Sequence, residues 1–115
     1  MLYDIDYCNR LVRNLVWDGP GAPAHPEFPV DKGLTGAAIA QGRTINVPDV
    51  SKDPCYLPAL STTRSEIIVP IFDEQGSVVV GTIDVESELA DAFGPEVQRT
   101  LESCASVIRP LWVEV

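Results

Sequence analysis

The sequence predicts an α+β fold built on a mostly antiparallel sheet, and three observations carry that prediction. The expected elements run strand, strand, short helix, strand, hairpin, long helix, with no regular alternation of strand and helix. Two of the strand pairs read as hairpins, which join antiparallel neighbours. With 115 residues, 45% of them hydrophobic, the chain can bury the core of one domain but not of two.

Residues 2–5 form the first strand, Asp6-Tyr7-Cys8-Asn9 a turn, and residues 10–17 the second strand. Ile5, Cys8, Leu11, Val12 and Leu15 also fit a helical period, but the β-branched and aromatic content favours strands. Residues 18–33 contain Pro20, Pro23, Pro26 and Pro29, so an extended loop without regular structure is expected there. Loops of that length tend to be functional or mobile. Residues 34–41 read as a short helix, with Thr35 as candidate cap and Gly42 as stop. Residues 44–47 form a short strand closed by Pro48, and 49–61 a second irregular stretch with room for one helical turn at 56–60.

The clearest pattern is a hairpin of Ser65–Phe72 with residues 77–87, closed by Asp73-Glu74-Gln75-Gly76 with Gly76 at the position that needs a positive φ. Pro95 and Glu96 then open a helix whose apolar positions are Val97, Leu101, Cys104, Ala105 and Ile108. Pro110 ends it and leaves Leu111 and Trp112 beyond the break.

Charge narrows the function. Eight Lys plus Arg against 17 Asp plus Glu give a net charge of −9, which excludes a basic nucleic-acid footprint and a patch for anionic membranes. No apolar run approaches the roughly 20 residues of a membrane helix. The start, Met1-Leu2-Tyr3-Asp4, lacks the basic and apolar regions of a signal peptide, so a cytoplasmic location is expected. Cys8, Cys55 and Cys104 are widely spaced, and His25 completes no zinc site with them. They read as reduced thiols, with no metal and no cofactor expected.

The second hairpin also sorts residues into two faces. Closure at 73–76 makes cross-strand partners sum to about 150 and sets Glu66 opposite Asp84 to within a residue. Alternation then groups Ile67, Val69 and Ile71 with Val79, Gly81, Ile83 and Val85 as the core face. Glu66, Ile68 and Pro70 share the other face with Val80, Thr82, Asp84 and Glu86, apolar near the turn and acidic at the far end. Two readings stay open for that acidic end. It is an exposed sheet end, screened or paired with Arg64 or Arg43, or it is the floor of a pocket for a cationic group. In the second reading Glu66, Asp84, Glu86, Ile68, Val80 and Thr82 bind the ligand, roofed by Tyr56, Leu57 and Leu60. Trp17 packs under the proline-rich loop, His25 reads as a solvated loop residue, and Asp49 as a turn former.

Several segments, taken in order, resemble a GAF domain, the small-molecule-sensing relative of the PAS fold. They are Gly33-Leu34-Thr35-Gly36-Ala37-Ala38-Ile39-Ala40, Val47-Pro48-Asp49-Val50, Asp53-Pro54, Arg64-Ser65-Glu66-Ile67-Ile68-Val69-Pro70-Ile71, Val80-Gly81-Thr82-Ile83-Asp84-Val85-Glu86-Ser87 and Ala92-Phe93. The resemblance implies a single domain over 1–115, with a central antiparallel sheet, helices on one face and pocket-forming loops on the other. The helix that usually precedes the first strand is missing, so a trimmed start, a fragment and a dispensable helix are the explanations to separate. The Asn-Lys signature of cyclic-nucleotide-binding members and the cysteine context of bilin-binding members are both absent.

The nearest functional subgroup by resemblance is the free methionine-R-sulfoxide reductases. Their substrate-binding acids fall on Glu66, Asp84 and Glu86, whereas their redox-cysteine positions fall on Ala59, His25 and Thr35. Sulfoxide reduction needs an attacking thiolate and a resolving thiol, and the nearest cysteine, Cys55, lies before the Ala59 position. The expectation is a sensory or regulatory domain that binds a small molecule, an amine or amino acid, without catalysis. A reductase-like enzyme and a structural dimerisation module with a vestigial pocket are the alternatives. Exposed Leu111 and Trp112 lead to the expectation of a weak homodimer.

Overall fold

In the computed structural model, which describes residues 1–54, 56 and 62–112, the strands are β1 (Leu2–Asp6), β2 (Leu11–Val16), β3 (Glu27–Pro29), β4 (Ile45–Val47), β5 (Ser65–Phe72) and β6 (Val79–Ser87). The helices are α1 (Gly33–Gln41) and α2 (Pro95–Ile108). The strands form one sheet in the order β3-β2-β1-β6-β5-β4, every neighbouring pair antiparallel. This is the α+β class that the sequence predicts.

The first hairpin forms as a pair of strands. Asp6 ties its turn: Oδ1 accepts from the Asn9 N–H at 3.1 Å and Oδ2 from Arg13 Nη1 at 2.7 Å. The proline-rich segment departs from expectation, because Glu27-Phe28-Pro29 adds to β2 as an edge strand. Its ends are held by Asn14 N–H to the Pro26 carbonyl at 2.7 Å and Val30 N–H to the Arg10 carbonyl at 3.1 Å. Proline is tolerated there because an edge position does not need every N–H. Thr35 also differs, lying buried inside the first turn of α1 instead of capping it.

The β5–β6 hairpin forms with a longer turn than the sequence reading allows. Asp73 Oδ1 accepts from the N–H groups of Ser77 and Val78 at 2.9 and 3.2 Å, and Asp73 N–H donates to the Val78 carbonyl at 2.8 Å. Those bonds keep residues 77 and 78 in the turn, which Gly76 completes at φ 71°. Partner numbers therefore sum to 152, and Glu66 pairs with Glu86 while Asp84 pairs with Ile68. The shift is two residues, so the faces of 66, 68, 82, 84 and 86 are preserved. A bulge at Ile71/Phe72 then breaks the alternation. Val80, expected on the acidic face, packs instead with Ile67, Val69 and Ile71.

Each sheet face has its own core. Ile67, Val69, Ile71, Phe93 and Ala105 form one, joined by Val80, Ile83, Val85, Leu101, Ile108 and Trp112 under α2. Leu34, Ala38, Val47, Val50 and Ile68 form the other, so α1 belongs to the layer of loops over the acidic face. Helix α2 meets the sheet along Leu101, Ala105 and Ile108, which puts Val97 and Cys104 in solvent. Cys104 fits the same helical stripe by spacing, but it falls at the edge of the contact and stays exposed. Trp112 packs over Gly81 and donates from Nε1 to Asp4 Oδ1 at 2.9 Å, while Leu111 stays 74% exposed. No helix of the described residues is long and apolar enough to cross a membrane.

Candidate functional site

Alternation on β5 and β6 puts Glu66, Asp84 and Glu86 on one sheet face, and the register brings their heads together. One carboxylate oxygen from each lies within 4.8 Å of the others. Glu66 and Asp84 are 3% and 4% exposed, so this is no solvated sheet end. No Arg or Lys forms an ion pair with any of the three among the described residues; the nearby cation is the Met1 ammonium, which donates to the Asp84 backbone carbonyl at 2.7 Å and partly offsets the rise of all three carboxyls.

Burial and mutual repulsion set the protonation. Burial, then the neighbouring Asp84 charge, pushes the Glu66 carboxyl far above the ordinary carboxylate range. Burial likewise raises Asp84, opposed by a hydrogen bond with Glu66. Both carboxyls of the pair are thus driven toward their protonated forms. Glu86 is raised to about 7, chiefly by burial and then by Asp84. Its Oε1 accepts from Thr63 Oγ1 at 3.0 Å and from the Tyr56 hydroxyl at 3.4 Å. Asp84 Oδ1, Glu86 Oε2 and Thr82 Oγ1 are buried without a hydrogen-bond partner among the described residues. Buried acceptors left unpaired cost free energy until a donor or cation reaches them.

Glu66 and Asp84 line a small cavity of about 20 Å³ with Tyr3, His25, Phe28, Gly33, Leu34 and Thr35. That space takes one water-sized group. Strand pairing of Tyr3 with Thr82 and of Val12 with Phe28 delivers the two rings, which meet edge to face at 5.6 Å. Burial, then the three carboxylates, raises the Tyr3 phenol well above its ordinary value.

The candidate residues are therefore distributed unevenly. Glu66, Asp84 and Glu86 converge, Thr82 is buried on the same face, and Tyr56 reaches Glu86 from the segment before β5. Ile68 shares their face but is sealed beneath α1, and Val80 lies on the opposite face. Leu57 and Leu60 lie outside the described residues, as does Ala59. His25, read as a solvated loop residue, is half-buried against the cavity, and Tyr3, Phe28 and Thr35 were not singled out for it. The available signal was the resemblance, which assigned His25 and Thr35 to reactive positions.

Comparison with known proteins agrees with this geometry. A family model described as "GAF domain" matches residues 1–109. The yeast Saccharomyces cerevisiae free methionine-R-sulfoxide reductase is 35% identical over 77 residues, 67% of this chain and 42% of that protein. The type II free methionine-R-sulfoxide reductase of Thermoplasma acidophilum superposes with a TM-score of 0.87 at 28% identity, covering 96% of this chain and 74% of the other. The Neisseria meningitidis free methionine-R-sulfoxide reductase, solved in complex with its substrate, gives 0.86 at 29%, covering 95% and 63%. The chain spans between 38% and 62% of the curated relatives it matches. A sheet with a helix on one face, a buried acidic pocket under loops on the other, and a family match over nearly the whole length have one explanation: the chain belongs to the GAF domain family.

Proposed function

We propose that this domain binds a small molecule through a cationic group, an amine or an amino acid, and acts as a sensory or regulatory module without catalysis of its own. One observation carries the reading: the carboxylates of buried Glu66 and Asp84 and of half-buried Glu86 converge, and Asp84 Oδ1, Glu86 Oε2 and, on the same sheet face, Thr82 Oγ1 are unpartnered. Such a cluster holds either protons or a cation, because carboxylates this close in a low-dielectric site repel. An ammonium head matches the size of the cavity, whose wall carries Glu66 and Asp84, and donates to the free Asp84 oxygen as a charge-assisted hydrogen bond.

A second reading, a sulfoxide reductase, is favoured by the identity to reductases on several branches. Against it, Cys8 and Cys104 are exposed, the first in the β1–β2 turn and the second on the outer side of α2. Cys55 is the remaining thiol that such chemistry could recruit. The two readings separate in one pair of assays. A thermal-shift screen of amino acids, polyamines and nucleotides on wild type and Asp84→Asn should give stabilisation by amines that the variant loses, about 2.7 kcal/mol at 100 times the dissociation constant. Free methionine-R-sulfoxide with a thiol reductant should show no turnover. Turnover that disappears in Cys55→Ser establishes the enzyme instead, and a screen without any stabilising compound leaves the dimerisation module.

A further inference from the structure

A second recess shares no lining residue with the carboxylate cavity. The turn after α1, the strand β5 and the last turn of α2 enclose an open cleft of about 360 Å³. Two guanidiniums line it, Arg43 and Arg109, in a chain whose net charge is −9. Arg109 Nε and Nη2 are buried and have no hydrogen-bond partner among the described residues. Arg43 donates from Nε to Gln41 Oε1 at 2.7 Å and forms no ion pair with a described residue.

The cleft's one carboxylate is already engaged: Glu102 Oε2 accepts from Thr44 Oγ1 at 2.6 Å and from Gln98 Nε2 at 3.4 Å. Asp73 feels the Arg109 charge but forms no ion pair with it, and its Oδ1 accepts from the Ser77 and Val78 N–H groups. At the C-terminal end of α2, Arg109 complements the helix dipole. That role leaves two buried charged donors unpaired, which is costly.

We propose that this cleft is a second ligand site, for an oxyanion of the phosphate class held between Arg109 and Arg43. Guanidinium forks match phosphate oxygens with paired hydrogen bonds. Arg109 lines the cleft with its Nε and Nη2 still unpartnered, and Ser106 on the same wall offers a hydroxyl as a further donor. The volume admits phosphate with a small organic group attached.

Titration with inorganic phosphate and with glycerol 3-phosphate, against chloride at matched ionic strength, tests the site by thermal shift and by amide NMR. Saturable binding that moves the amides of Gly42, Arg43, Thr44 and Ser106 is expected. Arg109→Gln and Arg43→Gln should each weaken it about tenfold. Glu102→Gln should tighten it, and Glu66→Gln should leave it unchanged, which separates this site from the amine pocket. Tighter binding of the ester identifies an organic phosphate as the occupant, and equal binding identifies free phosphate. A response no larger than that to chloride, or one that Arg43→Gln leaves intact, overturns the proposal; Arg43 is exposed, so this arm holds even if Arg109→Gln fails to fold.

Discussion

On one face of the β5–β6 hairpin, Ile67, Val69 and Ile71 lie beneath α2 at 0–1% exposure; one residue along, on the other face, Glu66 and Asp84 are buried almost as deeply, at 3% and 4%. The same two strands and the same ladder carry both. The helix-covered face draws stability from removing apolar surface from water. On the acidic face burial favours the protonated carboxyls, so ionising them there costs stability in the empty state. One face is built for stability, and the other gives up stability to keep a recognition chemistry in a dry site.

The largest effect should come from breaking the apolar face. Ile67→Ala removes a fully buried side chain and should lower unfolding free energy by about 2–5 kcal/mol in a urea titration. Gly81→Ala comes next. A Cβ there would sit 2.7 Å from the Tyr3 carbonyl oxygen and 2.6 Å from Trp112 Cζ2. The indole can move, but the backbone of β1 cannot do so cheaply, so a loss of about 1–3 kcal/mol is expected by the same titration.

The acidic face should respond to pH. The folded Glu86 carboxyl is raised to about 7 from 4.5, so the folded chain binds the extra proton between those values. Its contribution to stability is complete below the lower value and is lost as pH rises through the upper one. Discounted for the solvent screening of this partly open group, that is about 1–2 kcal/mol. Glu66 and Asp84 act in the same direction. Asp6, Asp49 and Asp73, held low by hydrogen bonds in their turns, act oppositely but only at more acidic pH. The ligand-free domain should therefore melt higher at pH 5 than at pH 8, and a rise in melting temperature over that interval would contradict this account. The smallest effect is expected from Glu66→Gln, whose amide donates to Asp84 as the protonated acid does. Its unfolding free energy at pH 5 should stay within about 1 kcal/mol of wild type, against the large loss one residue away at Ile67.

How far the sequence foretold this contrast depends on the periodicity available. The strand period of two placed Glu66, Asp84 and Glu86 on one face and Ile67, Val69 and Ile71 on the other, because a two-residue slip preserves parity. It misplaced Val80, because a bulge is set by turn geometry and leaves no mark in alternation. The slip itself arose from Asp73, whose side chain captures two amides and lengthens the turn. The cavity walls were the least legible part. Tyr3, His25 and Phe28 come from the far half of the sheet and a proline-rich segment, and only the strand order β3-β2-β1-β6 brings them beside Asp84. Long-range adjacency of that kind has no local pattern to read.

The central claim is that the carboxylate cluster exchanges its protons for a cation. Isothermal titration of the amine or amino acid giving the largest thermal shift, at pH 6 in two buffers of different ionisation enthalpy, counts the protons that move on binding. Net proton release, with affinity that increases from pH 5 to pH 8 and is lost in Asp84→Asn, is the result predicted here. Binding with no proton transfer, with uptake, or with equal affinity in the variant would show that the carboxylates are not what receives the ligand.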